Sequence, residues 1–123
     1  MKFTLDARPG INLIRAYGPG EVRINDQTLR ANCIVTAESL ITDWTARDPD
    51  SLTPEDLQPI FDLEPELVLL GTGSTQRFPP ANIRSLFSSR RVALETMDLG
   101  AACRTFNILV QEERRVAAAL LLA

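Results

Sequence analysis

Histidine is absent from all 123 residues. Without imidazole the chain has no Ser-His or Cys-His nucleophilic pair and no histidine-ligated metal, which removes many common hydrolase designs. Lysine is almost as scarce. Lys2 is the only one, and a chain end is a poor place for a preorganised base. The two cysteines, Cys33 and Cys103, lie far apart and lack metal-ligand spacing. Two thiols make no disulfide framework, so a reducing compartment is the default. Long apolar runs are missing too. Residues 116–123 are eight apolar residues, against the roughly 20 that a membrane helix needs. Residues 1–6 hold no stretch of signal-peptide length. The expectation is a soluble, cytoplasmic protein with no membrane insertion.

Positive charge is also short. The formal net charge is −3, and an acidic surface repels a phosphate backbone, so no nucleic-acid partner is expected. The basic doublets Arg90-Arg91 and Arg114-Arg115 sit at inferred element boundaries, the second directly after Glu112-Glu113. Solvated boundaries account for both. Sixteen carboxylates are chiefly solubilising, and no pair stands out by spacing.

What is present suits one domain, 1–123. Apolar residues make up 45% and charged residues 24%, ordinary for a globular chain. A chain of this size buries about two thirds of its unfolded surface, so no staple is required.

The N-terminal part, about 11–44, reads as a β ribbon. Residues 11–17 are followed by Gly18-Pro19-Gly20 and then by Glu21-Val22-Arg23-Ile24-Asn25, which alternates cleanly. A turn at Asn25-Asp26 leads into residues 28–36, where Leu29, Ala31, Cys33 and Val35 share a face of one predicted strand. Residues 40–44 form a short fourth strand, and Trp44 reads as core or rim packing.

The rest, about 53–122, alternates strand and helix. Thr53-Pro54-Glu55-Asp56 is a capping-box start, with Leu57, Ile60 and Phe61 as the buried stripe. Pro59 predicts a short, bent or broken helix. Residues 66–70 are a compact apolar run, typical of a strand covered on both faces. Pro79-Pro80 opens a helix with Ile83, Leu86 and Phe87 at core spacing, and residues 91–95 form another strand. Asp98 caps a helix whose stripe is Ala102, Cys103, Phe106, Leu109 and Val110. Residues 116–122 close a mainly parallel sheet with covering helices.

Gly71-Thr72-Gly73 follows a strand, but the dinucleotide fingerprint needs a third glycine where Gln76 stands. A turn is the simpler reading. The carboxyl ends of parallel strands nonetheless form the usual ligand crevice. Residues 71–73 and 96–98 lie at such ends, and backbone N–H groups there with the Thr72 hydroxyl suit a small anion. Arg104 and Asn107, three apart, share a helix face away from Phe106. A structural reading pairs Arg104 with Glu95 or Glu112; a functional one makes it an anion or partner contact.

The run Glu95-Thr96-Met97-Asp98-Leu99-Gly100-Ala101-Ala102-Cys103-Arg104-Thr105-Phe106-Asn107, with residues 114–120 and Leu69-Leu70-Gly71-Thr72-Gly73, resembles a family of small α/β proteins catalogued as a domain of unknown function. That family includes the mitochondrial complex I assembly factor 3 and the adipogenesis-associated domain protein. The resemblance spans nearly the whole chain. It implies a three-layer α/β fold: a central mixed, mostly parallel sheet, helices on one side, and a β ribbon plus helix on the other. It implies no catalytic residue, metal or cofactor. Leu99 stands where many members carry Thr, and Glu113 where many carry Gly.

Two functions are carried forward. The first is a non-catalytic interaction or assembly-type factor with a protein partner, a homo-oligomer remaining open. The second is a small-molecule or anion-binding protein, with an enzyme as one form of it, using the strand-end loops. Its candidate residues are Gly71, Thr72, Gly73, Glu95, Asp98, Arg104 and Asn107.

Overall fold

The computed structural model describes residues 10–123. Lys2 and the 1–6 stretch lie outside the described residues.

Three short strands, β1 (Ile14–Gly18), β2 (Glu21–Ile24) and β3 (Gln27–Leu29), form an antiparallel ribbon in that order. The β1–β2 turn falls at Pro19-Gly20, where Gly20 takes a φ of +72° that suits glycine. Asn25, at φ +51°, turns β2 into β3, a conformation asparagine tolerates better than most residues.

The second sheet is built from β4 (Cys33–Val35), β5 (Leu40–Ile41), β6 (Leu67–Thr72), β7 (Ala93–Met97) and β8 (Val116–Leu121). Its order is β5-β4-β8-β6-β7. Strands β8, β6 and β7 run parallel, and β4 runs antiparallel to both β8 and β5. Mostly parallel pairing follows from the crossover helices α2 (Ala81–Ser89) and α3 (Leu99–Gln111), which return the chain to the same sheet end.

Alternate residues of the central strands feed two separate cores. Cys33, Val35, Leu69, Ala118 and Leu120 face α3 and the ribbon, with Phe106 fully buried between them. Ile34, Val68, Leu70, Ala117 and Ala119 face the other way, against Trp44, α1 (Pro54–Asp62) and α2. The expected layering is therefore present: α1 and α2 cover one face, α3 and the ribbon the other. Every residue of β8 is buried, which explains its lack of polar alternation.

Two strands differ from the sequence reading. Residues 40–44 are a strand only at Leu40–Ile41, which pairs with β4 in the larger sheet and not in the ribbon. Residues 28–36 do not run as one strand: β3 stays in the ribbon, β4 joins the large sheet, and Ala31 between them is exposed. Asn32 makes the break. Its Nδ2 donates to the Ala46 carbonyl at 2.8 Å, and its Oδ1 accepts from the Leu122 N–H at 2.8 Å. A side-chain amide that satisfies distant backbone in this way competes with continued strand pairing.

The helices largely follow expectation. Thr53 and Asp56 form the capping box of α1, and Pro59 lies inside a helix that is short but unbroken. Asp98 caps α3 by accepting from the Ala101 N–H at 2.8 Å. Just past α3, Glu113 sits at φ +62°, where glycine would carry no steric cost. Among the described residues no helix is long and apolar enough to cross a membrane.

Candidate functional site

The carboxyl ends of β6 and β7 meet the start of α3 at one edge of the molecule, beneath the β1–β2 turn. A cleft of about 540 Å³ opens there. One wall is Tyr17 with Gly18-Pro19-Gly20, the other Gly73, Ser74 and the first turn of α3. Leu99 and Leu122 supply apolar surface, and Asp98 and Arg104 are its charged side chains.

Three of the seven sequence candidates, Gly73, Asp98 and Arg104, line this cleft. Gly71 lies beneath it. A Cβ on Gly71 would come within 3.1 Å of both Ala102 Cβ and a Leu120 methyl, so its role is close packing of α3 on β6. Glu95 is exposed on the edge strand β7 and does not line the cleft. Asn107 sits farther along α3 and is bonded to Ile14.

The strand-end donors are engaged within the chain. Thr72 is buried, its hydroxyl 2.6 Å from the Thr75 carbonyl and accepting from the Arg77 N–H at 3.0 Å. The Gly73 N–H donates to Leu121 at 2.9 Å, and the Leu99 N–H donates to the Gly73 carbonyl at 2.7 Å. The Ala101 N–H is held by Asp98. A cradle of backbone amides, of the kind the sequence suggests for an anion, therefore has few free donors.

Arg104 finds neither Glu95 nor Glu112. Its Nη1 donates to the Tyr17 hydroxyl, and its guanidinium carbon lies 6.0 Å from the Tyr17 ring centroid. Tyr17 packs on Gly100 so closely that a Cβ there would be 2.8 Å from ring carbon Cε1. Sequence reasoning missed Tyr17. A signal was available, since it is the only tyrosine of the chain and stands beside the Gly-Pro-Gly turn.

Neither thiol offers a nucleophile. Cys33 and Cys103 are free and buried in the same core. Burial pushes both up to about 12, and the neighbouring Cys33 adds to the rise at Cys103. No group of three or more His, Cys, Asp or Glu residues that could hold a metal occurs among the described residues. At the opposite end of β8, a smaller hollow of about 230 Å³ adjoins Arg114 and Arg115. Glu66 answers that charge, accepting from Arg114 Nε at 2.7 Å and the Arg115 N–H at 3.1 Å, which holds its carboxyl below the usual range.

Residues 14–121 match the family model described as "Protein of unknown function (DUF498/DUF598)". The chain belongs to this family. Among curated relatives, the NADH dehydrogenase [ubiquinone] 1 alpha subcomplex assembly factor 3 of Danio rerio is 32% identical over 111 residues, covering 89% of this chain. The chain spans only 63% of that protein's length. Among solved structures, a Bordetella pertussis protein described as an Mth938-like domain aligns with a TM-score of 0.82 at 28% identity, over 99% of this chain and 92% of that one. A protein described as an outer membrane protein from Bartonella henselae aligns with a TM-score of 0.78 at 36% identity, over 91% and 95% respectively. The fold and family are thus shared, while a fold alone assigns no chemistry.

Proposed function

We propose that this protein is an assembly-type factor that acts by holding a protein partner rather than by catalysis, with the Tyr17–Arg104 cleft as its contact. The observation that carries the reading is the composition of that cleft. Its backbone donors are largely engaged, Cys103 next to Arg104 in the chain is buried in the core, and a half-exposed tyrosine stands beside an arginine and apolar walls. Tyr and Arg next to apolar surface are the residue types that dominate binding energy at protein interfaces. Relatives named as assembly factors support the same direction.

The test is a native pull-down of the tagged protein from its own cell extract, read by mass spectrometry, with Arg104→Ala in parallel. The expected result is a stoichiometric partner that the variant loses. A partnerless protein across repeated native purifications overturns the reading. A cytoplasmic setting belongs to the same proposal and is supported by two unpaired thiols. Because one relative is described as an outer membrane protein, cell fractionation is its direct check.

A further inference from the structure

The cleft also carries a statement about ligand chemistry that goes beyond the assembly reading. An arginine has five N–H donors and no acceptor. The hydrogen bond shown for the Arg104 side chain is the one from Nη1 to the Tyr17 hydroxyl. No carboxylate lies within ion-pair distance of Arg104 among the described residues. Asp98, although in the same cleft, keeps an oxygen on the Ala101 N–H. The guanidinium thus brings a positive charge without a direct ion-pair partner, and unused donors, to the cleft.

Tyr17 adds a second donor. Its oxygen accepts from Arg104, which leaves its own proton to give. The ring comes from the ribbon and the guanidinium from α3, so the two groups converge only in the folded chain. Their placement is tight, because Gly100 leaves no room for a Cβ under the ring. Leu99 and Leu122 provide apolar surface in the same cleft, and Gly18, Gly20, Gly73 and Gly100 add no side chain to its walls.

We infer that the Tyr17–Arg104 pair is a carboxylate-binding site, for a ligand whose carboxylate adjoins a branched apolar group. A planar fork matches a carboxylate in two parallel hydrogen bonds. A phosphate dianion fits less well, since a single cation stands there with Asp98 in the same cleft. The ligand is either a free carboxylic acid or the C-terminal residue of a peptide.

Titration of the full chain, followed by amide and arginine side-chain NMR signals, separates these sources. The probes are 4-methylpentanoate, N-acetyl-Gly-Gly-Leu with a free carboxylate, the same peptide as its C-terminal amide, and inorganic phosphate. The acids are expected to move signals of Gly18, Gly20, Gly73, Gly100 and Arg104; the amide and phosphate are not. Tyr17→Phe should weaken binding roughly tenfold and Arg104→Ala by more, in line with hydrogen bonds to a charged group. Unchanged signals elsewhere in each variant report an intact fold. Tighter binding of the peptide acid than of 4-methylpentanoate assigns a chain end; equal binding assigns a free acid. Amide binding as tight as the acid, affinity untouched by Arg104→Ala, or silence of the cleft toward both acids overturns the site. An Arg104-dependent partner with no acid binding sinks this inference alone. Acid binding by a partnerless protein sinks the assembly reading alone.

Discussion

Asn107 holds both backbone groups of Ile14. Its Oδ1 accepts from the Ile14 N–H at 2.8 Å while its Nδ2 donates to the Ile14 carbonyl at 2.8 Å, across 93 residues of chain. The amide thus pairs with the outer edge of β1 as a neighbouring strand would, and it fastens the ribbon to α3. An edge strand covered in this way is also shielded from pairing with other chains.

Asn107→Ala should leave both Ile14 groups without partners in a part-buried setting. The expected loss is about 1–3 kcal/mol of unfolding free energy by urea titration. Asn107→Asp should do no better. A carboxylate still accepts from the Ile14 N–H but places negative charge against the Ile14 carbonyl. Hydrogen exchange should quicken first in β1.

Gly73 and Gly20 both have positive φ, +64° and +72°, yet their surroundings differ. A Cβ on Gly73 would sit 2.4 Å from the backbone oxygen of Ala123, whereas nothing lies within 4 Å of one on Gly20. Gly20→Ala should therefore cost about 1–2 kcal/mol, the ordinary penalty of the left-handed region. Gly73→Ala adds a backbone clash and should cost clearly more, with altered signals at residues 121–123. Thermal melts of the two variants side by side give the comparison.

The buried thiols make stability fall at high pH. Cys33 and Cys103 are raised from 9.0 to about 12 in the folded chain, chiefly by burial. Between those values the unfolded chain loses its thiol protons and the folded chain keeps them. The stability contribution is full below about pH 9 and is lost as pH rises through about 12. The slope is about 1.4 kcal/mol per pH unit for each thiol. Cys33→Ala/Cys103→Ala should flatten the decline relative to wild type, whatever its level. In the native state at neutral pH, neither thiol should react with a disulfide reagent until the chain unfolds.

Arg104→Ala should leave the melting temperature almost unchanged. Arg104 is exposed, and a guanidinium beside an exposed ring contributes about 0.5–1 kcal/mol at most. Loss of ligand or partner without loss of stability would then assign Arg104 to binding. A large destabilisation would instead make it a structural tie between α3 and β1.

The alternation of strand and helix after residue 53 is legible along the chain because its signals are local. A threonine three residues before an aspartate caps α1, an aspartate caps α3, and an apolar run without alternation marks β6 and β8 as covered on both faces. The edge where Gly73, Asp98 and Arg104 meet follows from the same pattern, since parallel strands place their carboxyl ends together. Long-range pairing decided the rest. Asn32 carries no local signal and Asn107 reads locally as a binding candidate; only contact with Leu122 and Ile14 makes one a strand breaker and the other a fastener. Arg104 takes its partner from 87 residues away, and neither Glu95 nor Glu112, the carboxylates a structural reading offers it, is that partner. Local chemistry sets which elements form, because caps, turns and periodicity act over a few residues. Which polar group meets which across the cleft depends on how those elements stack, and packing two cores against one sheet settles that only in three dimensions.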